Sequence, residues 1–279
     1  MKPNLWIRRI FITLGSLYLI AVGLLLLFEN YLIYPGRSPR LGAYDATFEF
    51  EDVYFTAEDG TKLHGWMIPF TDGDTLSDRY VLYCHGNGEN VSGANGGVAK
   101  VMGETMKANM FIFDYRGYGK SEGKSNEVGI KSDTDAAMNW LCQRFQIQPT
   151  DVIVEGFSIG GGPAVYVGTG KGCKGMILQR TFTSLPDVAA EKHPWAPVRL
   201  LMRNRFDSAS LIADYQGPLL QSHGGKDQVI PFKFGKRLHD TCPSDDKQFF
   251  TRPDMDHFSY LDPEFLKMAA TFADRLYDQ

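Results

Sequence analysis

Val152-Ile153-Val154-Glu155-Gly156-Phe157-Ser158-Ile159-Gly160-Gly161-Gly162 decides the architecture of this chain. An apolar β-branched run ends at Gly156, and a small-residue helix start follows the serine. Gly156-Phe157-Ser158-Ile159-Gly160 is therefore Gly-x-Ser-x-Gly after a strand and before a helix. That placement is the sequence form of a strained turn, a nucleophile elbow, which lifts a serine hydroxyl off the end of a sheet. Glycines two before and two after the serine let neighbouring backbone pass where a Cβ would clash. The N-terminus of the following helix lies under the serine and favours negative charge there. The pentapeptide alone is a weak signal, because serine and glycine are common. Its meaning depends on what the other strand-end loops supply.

Outward from this stretch, strand and helix patterns alternate. Short apolar strands are predicted over 80–84, 110–113, 152–154, 175–178, 218–221 and 248–251. Helical patterns are predicted over 98–106, 130–145, 163–167, 232–238 and 263–276. Ahead of them, 47–50 and 53–56 alternate apolar with polar. After the turn Glu58-Asp59-Gly60, 62–68 returns as a second strand, so this part reads as an antiparallel hairpin. Residues 71–78 read as a polar loop. Buried strands separated by helices imply a mostly parallel, twisted sheet covered on both faces. In such sheets, sites form at the carboxyl ends of the strands.

Four strand-end loops carry chemistry. Ser158 is the candidate nucleophile. Cys84-His85-Gly86-Asn87-Gly88 follows a strand, and its glycines allow the Asn87 backbone amide to turn inward. That amide and the one of Ile159, next after the serine, are the candidate donors to a developing oxyanion. His85 reads as a residue that orients the loop, and Asp114 and Arg116 in the next loop read as structural. Asp227, at the tip of Gly224-Gly225-Lys226-Asp227, is the candidate acid; the alternative position after 175–178 reads Gln179-Arg180-Thr181 and has no carboxylate. Of six histidines, only His257 stands in the loop after the final strand, so it is the candidate base. Asp254 and Asp256 share that loop, and neighbours in sequence reach an imidazole Nδ1 poorly.

The order Ser158, Asp227, His257, with HGNG at 85–88, DYRGYGKSEG at 114–123, GFSIGG at 156–161, GGKDQVIP at 224–231 and DH at 256–257, resembles the α/β-hydrolase superfamily. More narrowly, the chain resembles the membrane-anchored abhydrolase domain-containing serine hydrolases. The resemblance runs from about Val53 to the C-terminus. It implies an α/β-hydrolase fold and a serine hydrolase with Ser158, His257 and Asp227 as its triad, acting without cofactor or metal. Cleavage of a carboxylic ester or thioester is the favoured reaction, on a small-molecule acyl substrate, including a lipid-like one. An amidase or aminopeptidase-like enzyme with the same triad is an alternative, because members of one fold cleave several acyl bonds. A membrane-tethered binding protein without catalysis is another.

Ile10–Phe28 is a run of 19 residues without a charge, long enough to span a bilayer as a helix. Lys2, Arg8 and Arg9 precede it and Glu29 follows. The expectation is a cytoplasmic N-terminus, an anchor within 1–30, and the bulk of the chain outside the cytoplasm. A cleaved signal peptide is the competing reading. Residues 31–44, with Pro35, Gly36, Pro39 and Gly42, read as a linker to a catalytic domain at 45–279. Within that domain, 181–214 reads as a lid insertion mixing Trp195, Leu200, Leu201 and Phe206 with Arg199, Arg203 and Arg205. A net charge of −4 gives no reason to expect nucleic-acid binding. The four cysteines have no metal-ligand spacing; Cys84 reads as a free core thiol, and Cys142, Cys173 and Cys242 as candidates for oxidation in an exported domain.

Overall fold

The computed structural model describes residues 5–35, 47–88, 90–259 and 261–278. Ten strands are described. They are β1 (Glu51–Thr56), β2 (Lys62–Ile68), β3 (Thr71–Asp72), β4 (Thr75–Leu76), β5 (Tyr80–Cys84), β6 (Asn109–Asp114), β7 (Val152–Phe157), β8 (Gly175–Gln179), β9 (Leu219–Gly224) and β10 (Lys247–Arg252). Eight of them form one sheet in the order β1-β2-β6-β5-β7-β8-β9-β10. β1, β2 and β6 pair antiparallel, and β6 through β10 pair parallel. The expected hairpin thus leads into a mostly parallel sheet.

Strand alternation divides the core in two. Leu82, Val154, Met176, Leu178 and Leu219 point to one face, where α4 (Glu127–Phe145), α5 (Gly161–Gly170) and α9 (Phe232–Thr241) cover them. Val81, Tyr83, Ile153, Ile177 and Leu220 point to the other, under α3 (Ala94–Met106) and α10 (Pro263–Tyr277). All five residues of β5 and of β8 are buried, which is why these strands read as unbroken apolar runs. The strand order reverses beside β5: β6 lies on one side of it and β7 on the other. The crevice between the ends of β5 and β7 is the switch point at which such sheets bind ligands. The loops carrying Asn87 and Ser158 leave the sheet there.

Several boundaries differ from the sequence reading. Residues 47–50 form no strand. Phe48 and Phe50 pack on Trp66 instead, with Phe50 stacked at 4.0 Å between ring centroids. The polar loop at 71–78 holds the small β3–β4 hairpin. β9 runs on to Gly224, because Thr251 and Arg252 of β10 continue the ladder opposite His223 and Gly224. Between β8 and β9 the chain forms α6 (Leu185–Lys192), α7 (Val198–Leu201) and α8 (Ser208–Ile212).

The N-terminal run forms α1 (Leu5–Leu27), long and apolar enough to cross a membrane. The expected linker does not begin at Tyr31. Glu29–Ile33 is a further helix, α2, and both Glu29 and Tyr34 are buried. The remainder of that linker, 36–44, lies outside the described residues. All four cysteines are free, with Cys84 and Cys242 buried.

Candidate active site

Ser158 follows β7 with a φ of +55°, in the left-handed region that strains an L side chain. Two close approaches hold that turn. A Cβ on Gly156 would stand 2.6 Å from Ala164 Cβ, and one on Gly160 would run into the Cys84 carbonyl. The Thr181 hydroxyl adds a hydrogen bond of 2.9 Å to the Ser158 carbonyl.

The structure brings Ser158, His257 and Asp227 together from three loops. Ser158 Oγ lies 2.9 Å from His257 Nε2, and His257 Nδ1 lies 2.7 Å from Asp227 Oδ2. A carboxylate accepts, so Nδ1 carries the proton and Nε2 presents its lone pair to the serine hydroxyl. Asp227 is itself fixed: its Oδ1 accepts from the backbone amides of Val229 at 2.9 Å and Ile230 at 2.8 Å. All three side chains are buried, where hydrogen bonds are stronger than in water. Asp256 does not share this role. Its Oδ1 accepts from the Phe258 amide and the Ser259 hydroxyl, so it closes the turn that carries His257.

Asn87 borders the same cleft. Its side chain is held from both ends: Nδ2 donates to the Ile33 carbonyl and Oδ1 accepts from the Tyr118 hydroxyl, each at 2.5 Å. Ile159 is buried beside the serine. His85 donates through Nδ1 to the Gly86 carbonyl and stacks on Tyr115, which orients the loop. Asp114 accepts from the Val91 amide, and Arg116 pairs with Asp133 and Asp59, both in structural roles.

Two supporting residues escaped the sequence reading. Arg180, buried and also left-handed at φ +50°, donates from Nη1 to the His257 carbonyl at 2.9 Å and lies over the Phe157 ring. Burial lowers its pKa against the pull of Asp227 and Asp256. The loop set aside for lacking a carboxylate thus braces the backbone of both serine and histidine, through Thr181 and Arg180. His223 is the other: Nε2 donates to the Ile230 carbonyl at 2.8 Å and lies 3.4 Å from Asp227 Oδ2. Burial lowers the His223 pKa, against the pull of the Ile230 carbonyl and Asp227. The signal was its place at the end of β9, directly before the acid's loop.

These residues open into a cleft of about 570 Å³, within the range of small-molecule sites. Its lining is mostly apolar and includes Phe182, Leu185, Val188 and Met202 from the segment after β8, with Leu25 and Leu26 from α1. A larger surface hollow of about 780 Å³ lies by Trp140 and Tyr166; it shares no residue with this cleft and holds none of the three residues above. Among the described residues, no group of three or more His, Cys, Asp or Glu is placed to hold a metal ion.

The sequence matches a family model described as the α/β hydrolase fold over residues 80–208. An uncharacterized protein of Mycobacterium tuberculosis is 32% identical over 240 residues, covering 85% of this chain and 82% of its own length. The α/β hydrolase domain-containing protein WAV2 of Arabidopsis thaliana is 28% identical over 250 residues, covering 81% and 79%. Among solved structures, the Pyrococcus furiosus esterase Pf2001 superposes with a TM-score of 0.66 at 21% identity, over 82% of this chain and 93% of that one.

Proposed function

Because this chain belongs to the α/β-hydrolase family, we propose that it is a serine hydrolase cleaving a carboxylic ester or thioester through an acyl-enzyme on Ser158. One observation carries the reading: the unbroken hydrogen-bonded chain Ser158–His257–Asp227, with the serine on a left-handed turn. His257 Nε2 takes the hydroxyl proton as Ser158 Oγ attacks the carbonyl carbon. The backbone amides of Ile159 and Asn87 receive the oxyanion, and a single such donor is worth about 10²–10³ in rate. Collapse expels the alcohol or thiol, which leaves with the proton from His257. Water then attacks the acyl-serine, giving a proton to His257, and the acid departs as Ser158 recovers its hydrogen. Asp227 holds the productive tautomer and stabilises the imidazolium. The segment 181–214 acts as a lid over this site.

The test is a panel of an ester, a thioester and an aminoacyl amide given to the purified protein and to Ser158→Ala. Ester and thioester turnover is expected, with the amide slowest and all activity lost in the variant. Faster amide cleavage would move the reading to an amidase. Absence of turnover would leave a membrane-tethered binding protein.

The apolar α1 serves in this reading as a membrane anchor, with Lys2, Arg8 and Arg9 on the cytoplasmic side and the catalytic domain, 45–279, outside the cytoplasm. Protein released by a carbonate wash, or an active C-terminal reporter that works only in the cytoplasm, contradicts this topology.

A further inference from the structure

We propose that the substrate of Ser158 is a single-chain acyl ester drawn from the membrane leaflet, and that the protein's own N-terminal helices form one wall of its acyl pocket. The inference rests on the hydrolase and anchor readings above and adds the substrate class. The cleft that holds Ser158 and His257 is lined in part by Leu25 and Leu26 of α1 and Leu32 and Ile33 of α2. That wall is fixed in place. Buried Glu29 accepts from the backbone amides of Arg203 at 3.0 Å and Asn204 at 2.7 Å, and from Asn204 Nδ2 at 2.7 Å. Arg203 Nη2 donates to the Leu26 carbonyl at 2.9 Å. The Ile33 carbonyl holds the side chain of Asn87, so the same segment reaches the loop assigned to the oxyanion.

The contact with α1 extends down the helix. The Tyr18 hydroxyl donates to the Trp195 carbonyl at 3.2 Å, and the two rings meet edge to face. Tyr18 stands nine residues before Leu27, which at 1.5 Å per residue is about 14 Å along the axis. With α1 spanning a bilayer, the lid beside Tyr18 dips into the adjoining leaflet. The exposed side chains of 195–203 suit a leaflet and its surface, with Arg203 at the Leu26 end of the helix. Leu200 and Trp195 are apolar, and Arg199 and Arg203 expose their guanidinium groups. Apolar side chains mixed with cations match a leaflet with anionic headgroups. Phe258, 79% exposed beside the catalytic histidine, continues the apolar rim to the cleft mouth. A cleft of this volume accepts one long acyl chain and its ester.

The experiment uses the full chain reconstituted in phosphatidylcholine–phosphatidylglycerol vesicles with p-nitrophenyl esters of two to sixteen carbons as probes. In the wild type, each added methylene is expected to raise kcat/KM by up to about fourfold until the pocket is full. Leu26→Trp shortens the pocket: the optimum moves to esters shorter by four or more carbons, and the sixteen-carbon ester loses at least tenfold, mostly in KM. A melting midpoint near wild type shows that the variant is folded; should it not fold, Leu32→Phe makes the same test. Leu200→Glu addresses the route. It is expected to lower the rate on the long ester in vesicles relative to the same ester in detergent micelles by at least fivefold. The acyl pocket is overturned by a flat chain-length profile, or by an equal loss in Leu26→Trp at every length. An unchanged vesicle-to-micelle ratio in Leu200→Glu overturns entry from the leaflet. Failure of the hydrolase reading itself looks different: no ester of any length is turned over.

Discussion

Ser158 and Leu26 line one cleft, and the two parts of its wall are held by different means. The serine wall is set by backbone. A left-handed residue, two glycines without room for a Cβ, and loops anchored to wholly buried parallel strands leave few alternatives. The wall formed by α1 and α2 is set by side chains reaching across some 175 residues, with Glu29 on Asn204 and Tyr34 on Asn204 Oδ1. Backbone-set geometry survives most substitutions near it. A seam of side-chain hydrogen bonds opens when a single acceptor is altered. The chemistry is therefore expected to be robust and the substrate wall adjustable.

The largest effects belong to the serine wall. Ser158→Ala is expected to lower kcat by about 10⁵–10⁶-fold while the thermal midpoint stays near that of the wild type, since alanine keeps the Cβ and the left-handed turn. Steady-state kinetics on an ester measures it, and a loss below a hundredfold would remove Ser158 from the chemistry. Asp227→Asn is expected to cost about 10³–10⁴-fold in kcat, because the wrong tautomer of His257 is then favoured. Asp256→Asn, in an exposed turn, is expected to cost about tenfold or less. A reversal of the last two, with thermal stability equal, reassigns the acid.

Beneath the serine, Glu155 of β7 is fully buried, with Gln179 donating to Oε1 at 2.7 Å. Burial pushes its pKa from the ordinary 4.5 to about 8, partly offset by that hydrogen bond. The folded chain thus keeps a proton that the unfolded chain loses above pH 4.5. Stability from this group is full below that pH and is lost as pH rises from about 4.5 to about 8. Glu155→Gln has no proton to lose and preserves the bond to Gln179. Its melting midpoint is expected to fall less than that of the wild type between pH 5 and pH 8; parallel curves would refute the buried proton.

The seam gives a smaller, local effect. Glu29→Gln turns one acceptor oxygen into a donor facing the Asn204 and Arg203 amides and is expected to cost about 1–3 kcal/mol of local stability. Amide exchange should quicken at 202–206 while β5 and β7 stay protected. Equal acceleration everywhere would show that the two walls are not separable.

The same contrast explains what the sequence disclosed. Ser158, Asp227 and His257 were legible as neighbours because each lies in the loop that follows a strand, and a parallel sheet gathers such loops along one edge. Helix α2 was not legible. Its five residues follow an apolar run and precede Pro35 and Gly36, and only Arg203 and Asn204, distant in sequence, make a buried carboxylate at Glu29 tolerable. Residues 47–50 misled in the opposite way. Their alternation fits a strand, yet Phe48 and Phe50 are spent on the rings of Trp66 rather than on a ladder. Arg180 and His223 were passed over because they meet this site through the backbone carbonyls of His257 and Ile230, contacts that no side-chain pattern marks.

Mass spectrometry of the purified chain after treatment with a fluorophosphonate tests the central claim most directly. A single adduct on the peptide containing Ser158 is expected, absent in Ser158→Ala and formed much more slowly in His257→Gln. Folded protein that takes up no adduct, or one that is labelled equally in Ser158→Ala, would contradict it.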